Sequence, residues 1–397
     1  MIRRLFFLLL TLAVCSACSR NKIETPQGPV GRTVLMYFPW AQDLATYTKK
    51  NIEDMERVVA QGALHDERLL VFYMDSHTTA SLFELRADKG RCIRVWKKSY
   101  APAPDVTTAQ GIASVLDDVR RFAPADRFAM TIGSHGMAWL PARSASPRAA
   151  DRSGIPEKEY WEYAAPDRPL TRWFGGTTPD SRADIASLAE GIRSVGMKLD
   201  FILFDDCYMA SVEVAYALRD VADHLVASTS EVMAAGFPYA HVGPHLVGQT
   251  DFEGIAQAFY DFYMAYPYPY GTVSTIVCSE LDALASVMAR INARFAFDSA
   301  NLSALQRLDG YSPVRFFDMG DYVRQLCSDP ALLGEFEAQL ERVVPAAFRR
   351  HTPAFYSMTN GVNPIRTFSG ITTSDPSVSS LTVSAKLDTE WWQAPHP

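Results

Sequence analysis

A basic surplus, paired cysteines, internal repeats and a membrane-length apolar run are all missing from this 397-residue chain. Each absence removes a class of protein. Lysine and arginine (38) are outnumbered by aspartate and glutamate (45), for a net charge of −7. No basic run with interleaved aromatics occurs, so nucleic acid is excluded as a partner. The 6 cysteines contain no C-x-x-C pair and no dense framework, so neither a zinc site nor a disulfide scaffold is expected. Ser134 sits in Gly-Ser-His-Gly, which is not the G-x-S-x-G elbow of a serine hydrolase. No low-complexity tract and no recognisable cation loop is present. What remains is an ordinary globular composition, 48 % apolar and 21 % charged, long enough to bury a substantial core.

The N-terminus reads as a targeting segment. Arg3 and Arg4 precede an apolar run from Leu5 to Val14 that is too short to span a bilayer as a mature helix. Small residues then lead to Cys18, which resembles a bacterial lipobox, with Cys15 as a weaker second choice. Residues 1–17 are therefore expected to be a lipoprotein signal peptide and Cys18 the lipidated residue. A plain secretory signal is the alternative, and either one exports the protein to the cell envelope, as a lipid-anchored membrane or periplasmic protein. Residues 18–31, with Pro26, Gly28, Pro29 and Gly31, form a tether. Cys92, Cys207, Cys278 and Cys327 remain after processing, and an oxidising compartment permits a bridge among the three other than Cys207.

Beyond the tether, strand and helix signals alternate. Thr33–Phe38 predicts a strand, Asp43–Gln61 a helix, and Leu69–Met74 a strand ending in Asp75. Ser81–Leu85 and Cys92–Trp96 suggest a hairpin, Thr108–Phe122 a helix, and residues 127–133 a strand. About 140–180 is a long excursion rich in Pro, Gly and Arg. After it come a helix (Arg182–Val195), strands at Phe201–Phe204, His224–Ser228 and Gly271–Cys278, and helices at Phe252–Tyr266 and Leu281–Phe295. A helix near 331–349 and late strands at Gly370–Thr373 and Leu381–Ala385 complete the reading. This alternation predicts an α/β fold, a mainly parallel sheet with helices on both faces. Residues 32–290 form the expected catalytic domain and 291–397 a smaller C-terminal subdomain.

Two strand ends carry chemistry. The apolar run Phe201-Ile-Leu-Phe204 stops at Asp205-Asp206-Cys207, and Met209, Val212 and Tyr216 then follow at helical spacing. The earlier strand stops at Gly133-Ser134-His135-Gly136. If the two strands are neighbours in a parallel sheet, an imidazole and a thiol meet at its carboxyl edge, where such sheets keep their clefts. The strand-terminal His-Gly, the Asp-x-Cys and the order of elements resemble the clostripain family of cysteine peptidases, relatives of caspases, gingipains and legumains. The polar stretch Ser228–Tyr239, with its Ser-Glu and Gly-aromatic-x-Tyr, resembles that family too.

The resemblance implies a caspase-like fold and an endopeptidase that needs no cofactor, although some relatives require calcium. It makes His135 and Cys207 the catalytic pair and the amides of Gly136 and Cys207 the oxyanion donors. Asp205 becomes the acid at the base of the pocket for a P1 arginine or lysine. Glu231 is a further acid in the region, and Pro238 stands where some relatives carry one. Substrates are then proteins or peptides, and the membrane is reached only through the lipid. Residue by residue, Asp206 reads as the N-cap of a helix starting near Tyr208. The same helix would lower the Cys207 thiol pKa through its dipole. Relatives can be activated by self-cleavage between the histidine and the cysteine, and Arg143 to Arg172 lie in that interval; solvated surface charge is the alternative. His241 and His245 make a poor metal pair, because Gly243 and Pro244 should break a helix there and no carboxylate stands close in sequence. Asp75 reads as a turn residue and His77 as surface. A non-catalytic surface lipoprotein keeping the fold is the competing function, and the intact motif argues against it.

Overall fold

The computed structural model describes residues 28–39, 43–142 and 183–395. The signal peptide, Cys18, most of the tether and almost all of the 140–180 excursion lie outside the described residues. The chain builds a nine-stranded sheet in the order β10-β8-β7-β6-β5-β1-β2-β3-β4. Its centre is parallel: β1 (Val30–Phe38) lies between β2 (Glu67–Met74) and β5 (Ala125–Gly133). β6 (Leu199–Asp205) and β7 (Ala222–Ala227) extend it from β5. A hairpin of β3 (Ala80–Asp88) and β4 (Arg91–Tyr100) closes one edge. On the other edge, β8 (Thr272–Val277) runs antiparallel to β7.

β6 shows why the centre is parallel. Phe201 to Phe204 are completely buried, as expected of a strand covered on both faces. Leu199, Ile202 and Phe204 join one core, while Phe201 and Leu203 join the other. The first core is roofed by the helices Ala109–Phe122, Ile185–Ser194 and Val212–Leu218. The second is roofed by Ala45–Ala60, Tyr239–Leu246 and Phe252–Ala265. In Ala109–Phe122 the apolar face is Ile112, Val115, Leu116 and Val119, and the Thr108 hydroxyl accepts the Gly111 N–H at its start. Among the described residues no helix is long and apolar enough to cross a membrane.

The C-terminal part, expected as a subdomain, shares this sheet. β10 (Arg349–His351) pairs with β8, after the short β9 (Phe317–Asp318). The β11 (Ala354–Ser357) and β12 (Gly361–Pro364) hairpin follows, and β13 (Thr372–Thr373) pairs back onto β9. Two expectations fail here. Leu381–Ala385, read as a strand from its Thr-Val content, lies in the helix Ser380–Ala385. Pro244 sits inside the helix Tyr239–Leu246 without breaking it. In so short a helix a proline removes one hydrogen bond, and packing of Val242 and Leu246 offsets the loss.

Candidate active site

The register of β5 on β6 brings the two motifs together. Gly133 is paired with Asp205, so Ser134-His135 and Asp206-Cys207 leave the sheet side by side. Gly136 fixes how close they come. A Cβ there would lie 2.5 Å from the Cys207 carbonyl oxygen and 2.9 Å from the Cys207 nitrogen, so only glycine fits. The Asp206 carboxylate accepts the Ser134 N–H at 2.5 Å and ties the two turns together. Asp206 is therefore not the helix cap that the sequence suggested. The helix begins at Val212, and the Ser211 hydroxyl caps it by accepting the Val214 N–H.

That late start changes the setting of Cys207. The residue lies outside the helix's first turn, where the dipole has faded, so the dipole argument for its activation falls. The chain after it takes a left-handed turn at Tyr208 (φ 66°). It then runs beside the Ser228–Ser230 segment through Tyr208 N–H to Ser230 O and Ala210 N–H to Ser228 O. A left-handed tyrosine is strained and needs outside support. Its hydroxyl donates to Glu231 at 2.7 Å, and its ring packs on Phe316. The Val232 N–H points at the Cys207 sulfur at 3.2 Å, a donor that suits a charged thiolate.

His135 is completely buried, and its Nε2 lies 3.1 and 3.0 Å from the two carboxylate oxygens of Asp43. Asp43 follows β1 in the chain, and β1 is hydrogen-bonded to β5, the strand that leads to His135. The sequence reading missed this residue because it looked like the start of a helix; only the strand order brings it to the histidine. Asp205 is buried at the end of β6 and accepts the Phe237 N–H at 2.8 Å. That bond anchors the Gly236–Pro238 loop, which is also held by Asn51 to Phe237 O and by the Tyr263 hydroxyl to Gly236 O. Glu231 spends its carboxylate on Tyr208, the Ser357 hydroxyl and the Met358 N–H, linking the Cys207 turn to the β11–β12 hairpin. Sequence could not show that tie, because its partners are 126 residues apart.

The other candidates stay elsewhere. Asp75 accepts the Ser81 hydroxyl on the β2–β3 turn, and His77 is exposed. His245 does have a carboxylate partner, Asp251 at 3.1 Å, whereas His241 packs against Phe262. Cys92, Cys278 and Cys327 carry thiols, not a bridge. Burial pushes the Cys92 thiol up to about 11 and the Cys278 thiol up to about 12, which leaves almost no thiolate at neutral pH. Among the described residues no group of three or more His, Cys, Asp or Glu side chains is placed to hold a metal ion.

A further buried carboxylate supports the site from behind. Glu213, on the helix after Cys207, accepts the Ser374 N–H at 2.7 Å and the Ser211 hydroxyl at 2.8 Å. Trp139, just past His135, donates to the Ser374 hydroxyl. Burial first, and Asp375 second, raise the Glu213 carboxyl from 4.5 to about 7. The unfolded chain therefore loses this proton before the folded one. Stability falls as pH rises from 4.5 towards 7, by about 3 kcal/mol from this group. Glu213→Gln keeps an acceptor for Ser374 and should remove that part of the fall. Thermal unfolding at pH 5 and pH 8 checks it; an unchanged pH difference in the variant would refute the assignment.

A sheet with a parallel centre covered by helices on both faces, with Cys207 and His135 on adjacent strand-end turns, has the caspase-like fold of cysteine peptidases. The chain belongs to the clostripain family: the family profile (Peptidase_C11) matches residues 161–312, and solved C11 proteases resemble the chain far more widely. A secreted C11 cysteine protease of Bacteroides thetaiotaomicron, "iotapain", is 48 % identical at a TM-score of 0.84, over 93 % of this chain and 100 % of its own. A Bacteroides thetaiotaomicron clostripain in complex with the peptide inhibitor BTN-VLTK-AOMK is 54 % identical, at a TM-score of 0.55. It covers 56 % of this chain and 99 % of its own. An inactive zymogen C11 protease of Parabacteroides distasonis is 25 % identical at a TM-score of 0.76, over 94 % of this chain and 100 % of its own. No curated protein matches the sequence. The protein is thus a clostripain-like cysteine endopeptidase.

Proposed function

We propose that this protease hydrolyses peptide bonds after arginine or lysine with Cys207 as nucleophile and His135 as general acid. The observation that carries the reading is the close seating of Gly136 on the Cys207 backbone, which leaves the His and Cys turns no independent position. The Cys207 thiolate attacks the carbonyl carbon, and the amide N–H groups of Gly136 and Cys207 hold the oxyanion. As the C–N bond breaks, His135 gives its proton to the leaving amine. Water then cleaves the thioester, releasing the new carboxyl terminus and restoring the thiol.

Asp205 supplies the anion for the basic P1 side chain. Glu231 is already committed to three donors, which favours Asp205 over it. The peptide inhibitor bound by the related clostripain ends in K before its AOMK group, in line with a basic P1. Arginine would be held bidentately and lysine by a single point charge. Residues 291–397 act with 32–290 as one catalytic unit, since Ser357 and Met358 hold Glu231 and β10 extends the sheet.

The protein acts outside the cytoplasm, anchored through Cys18. Support comes from the N-terminal pattern and from relatives described as secreted. The tether joins β1 at Val30, and the catalytic edge lies at the other end of that strand, roughly 30 Å away. An arginyl acyloxymethyl ketone should label the protein once, and mass spectrometry should find the label on Cys207. Labelling at another residue, or undiminished labelling of Cys207→Ala, would overturn the assignment.

A further inference from the structure

We propose that Asp43 is a positioning residue for His135: its carboxylate accepts the Nε2 hydrogen, which leaves Nδ1 as the nitrogen that serves the reaction. The inference rests on His135 being the general acid, and it extends that reading to a residue that follows another strand.

The geometry is specific. Both Asp43 oxygens are within hydrogen-bond distance of Nε2, at 3.1 and 3.0 Å. An imidazole has two nitrogens, so fixing one fixes the tautomer and the face that the other presents. The burial is equally telling. His135 has no solvent exposure, whereas the Asp43 side chain is 49 % exposed. An imidazolium inside the protein is costly unless an anion adjoins it. A carboxylate that keeps half its hydration is inexpensive to hold charged. Asp43 therefore supplies the counter-charge from the rim without itself being forced into the core.

Among the described residues, two further acids stand at the end of β6, the strand paired with the one that carries His135. Asp205 and Asp206 each hold a backbone N–H, of Phe237 and Ser134. Asp43, on the β1 turn, contacts the imidazole itself. Its negative charge favours the protonated ring against the burial that disfavours it, as a proton donor to a leaving amine requires. Its exposure also makes the pairing sensitive to salt.

The test uses the full chain. In active enzyme, Asp43→Asn keeps a hydrogen-bond acceptor but removes the charge. The alkaline limb of kcat/KM should move down by about one pH unit. At the wild-type optimum kcat should fall on the order of 10- to 100-fold, with KM changed little, and Asp43→Glu should recover part of both. A purely structural role would lower stability without moving the limb. The second arm is independent of activity. In Cys207→Ala, the NMR titration midpoint of His135 should fall by about one unit when Asp43→Asn is added. Unchanged midpoint and unchanged alkaline limb would overturn the proposal. If Cys207→Ala itself still cleaved peptides, the dyad would be wrong, yet the titration would still decide whether Asp43 governs the histidine.

Discussion

Cys207→Ala will abolish peptide hydrolysis and leave a folded protein. Cys207 has no solvent exposure, yet the change removes a single heavy atom. The void and the stranded Val232 N–H together cost about 1–3 kcal/mol, small enough for a domain of this size to tolerate. Activity is a different matter. Without the sulfur no thioester can form, and losses on the order of 10⁴-fold or more accompany removal of a nucleophile. His135 needs a gentler change than alanine. It is buried against Asp43, so truncation would leave a ring-sized hole beside a carboxylate. His135→Gln retains a donor toward Asp43 and fills most of the space, and it should match Cys207→Ala in activity loss. Hydrolysis of an arginyl peptide amide and thermal unfolding check both variants. Residual cleavage by Cys207→Ala above a few parts per thousand would end the cysteine-peptidase mechanism at this residue.

The placement of both residues at neighbouring strand ends was legible in the sequence because each follows an apolar run. A four-residue run such as Phe201–Phe204 has few structural options, and a His-Gly or Asp-x-Cys at its end can only face a sheet edge. Most strands and helices of the centre follow from the same logic. The ties between them did not. Asp206 has the composition of an N-cap, but the nearer demand was the Ser134 N–H across the strand pair. Met209, Val212 and Tyr216 keep helical spacing, yet the chain stays out of the helix up to Ser211 because the Tyr208 and Ala210 N–H groups find carbonyls at Ser230 and Ser228. Local pattern cannot see an acceptor supplied by another strand. Asp43 and Glu231 were missed or misjudged for that reason: their roles depend on strand order and on a hairpin far along the chain. The Ser380–Ala385 helix shows the reverse error. Its Thr382 is buried among serines while Val383 is exposed, so β-branched content there reports no strand face.

Gly136→Ala should lower kcat/KM by about 10²-fold or more, although it removes nothing. Its added Cβ would stand 2.5 Å from the Cys207 oxygen, 2.8 Å from the Asp206 Cβ and 2.9 Å from the Cys207 nitrogen. Contacts under 3.0 Å force movement, and the neighbours here are mostly backbone. The Cys207 turn cannot easily yield. The Asp206–Ser134 bond holds it on one side, and Tyr208, pinned by Glu231, holds it on the other. The His135 turn must then move away, carrying both the imidazole and the Gly136 amide. A displacement of about 1 Å between reacting groups costs on the order of 10²-fold in rate, and here the acid and an oxyanion donor move together. The strain itself should destabilise the fold by about 1–3 kcal/mol. Gly334→Ala is the control: nothing lies within 4 Å of its added Cβ, and it sits in the helix Pro330–Val343. That change should raise stability by up to about 1 kcal/mol and leave kcat/KM alone. A Gly136→Ala enzyme with wild-type kcat/KM would mean that the two turns can part without consequence, and the site as built here would be wrong.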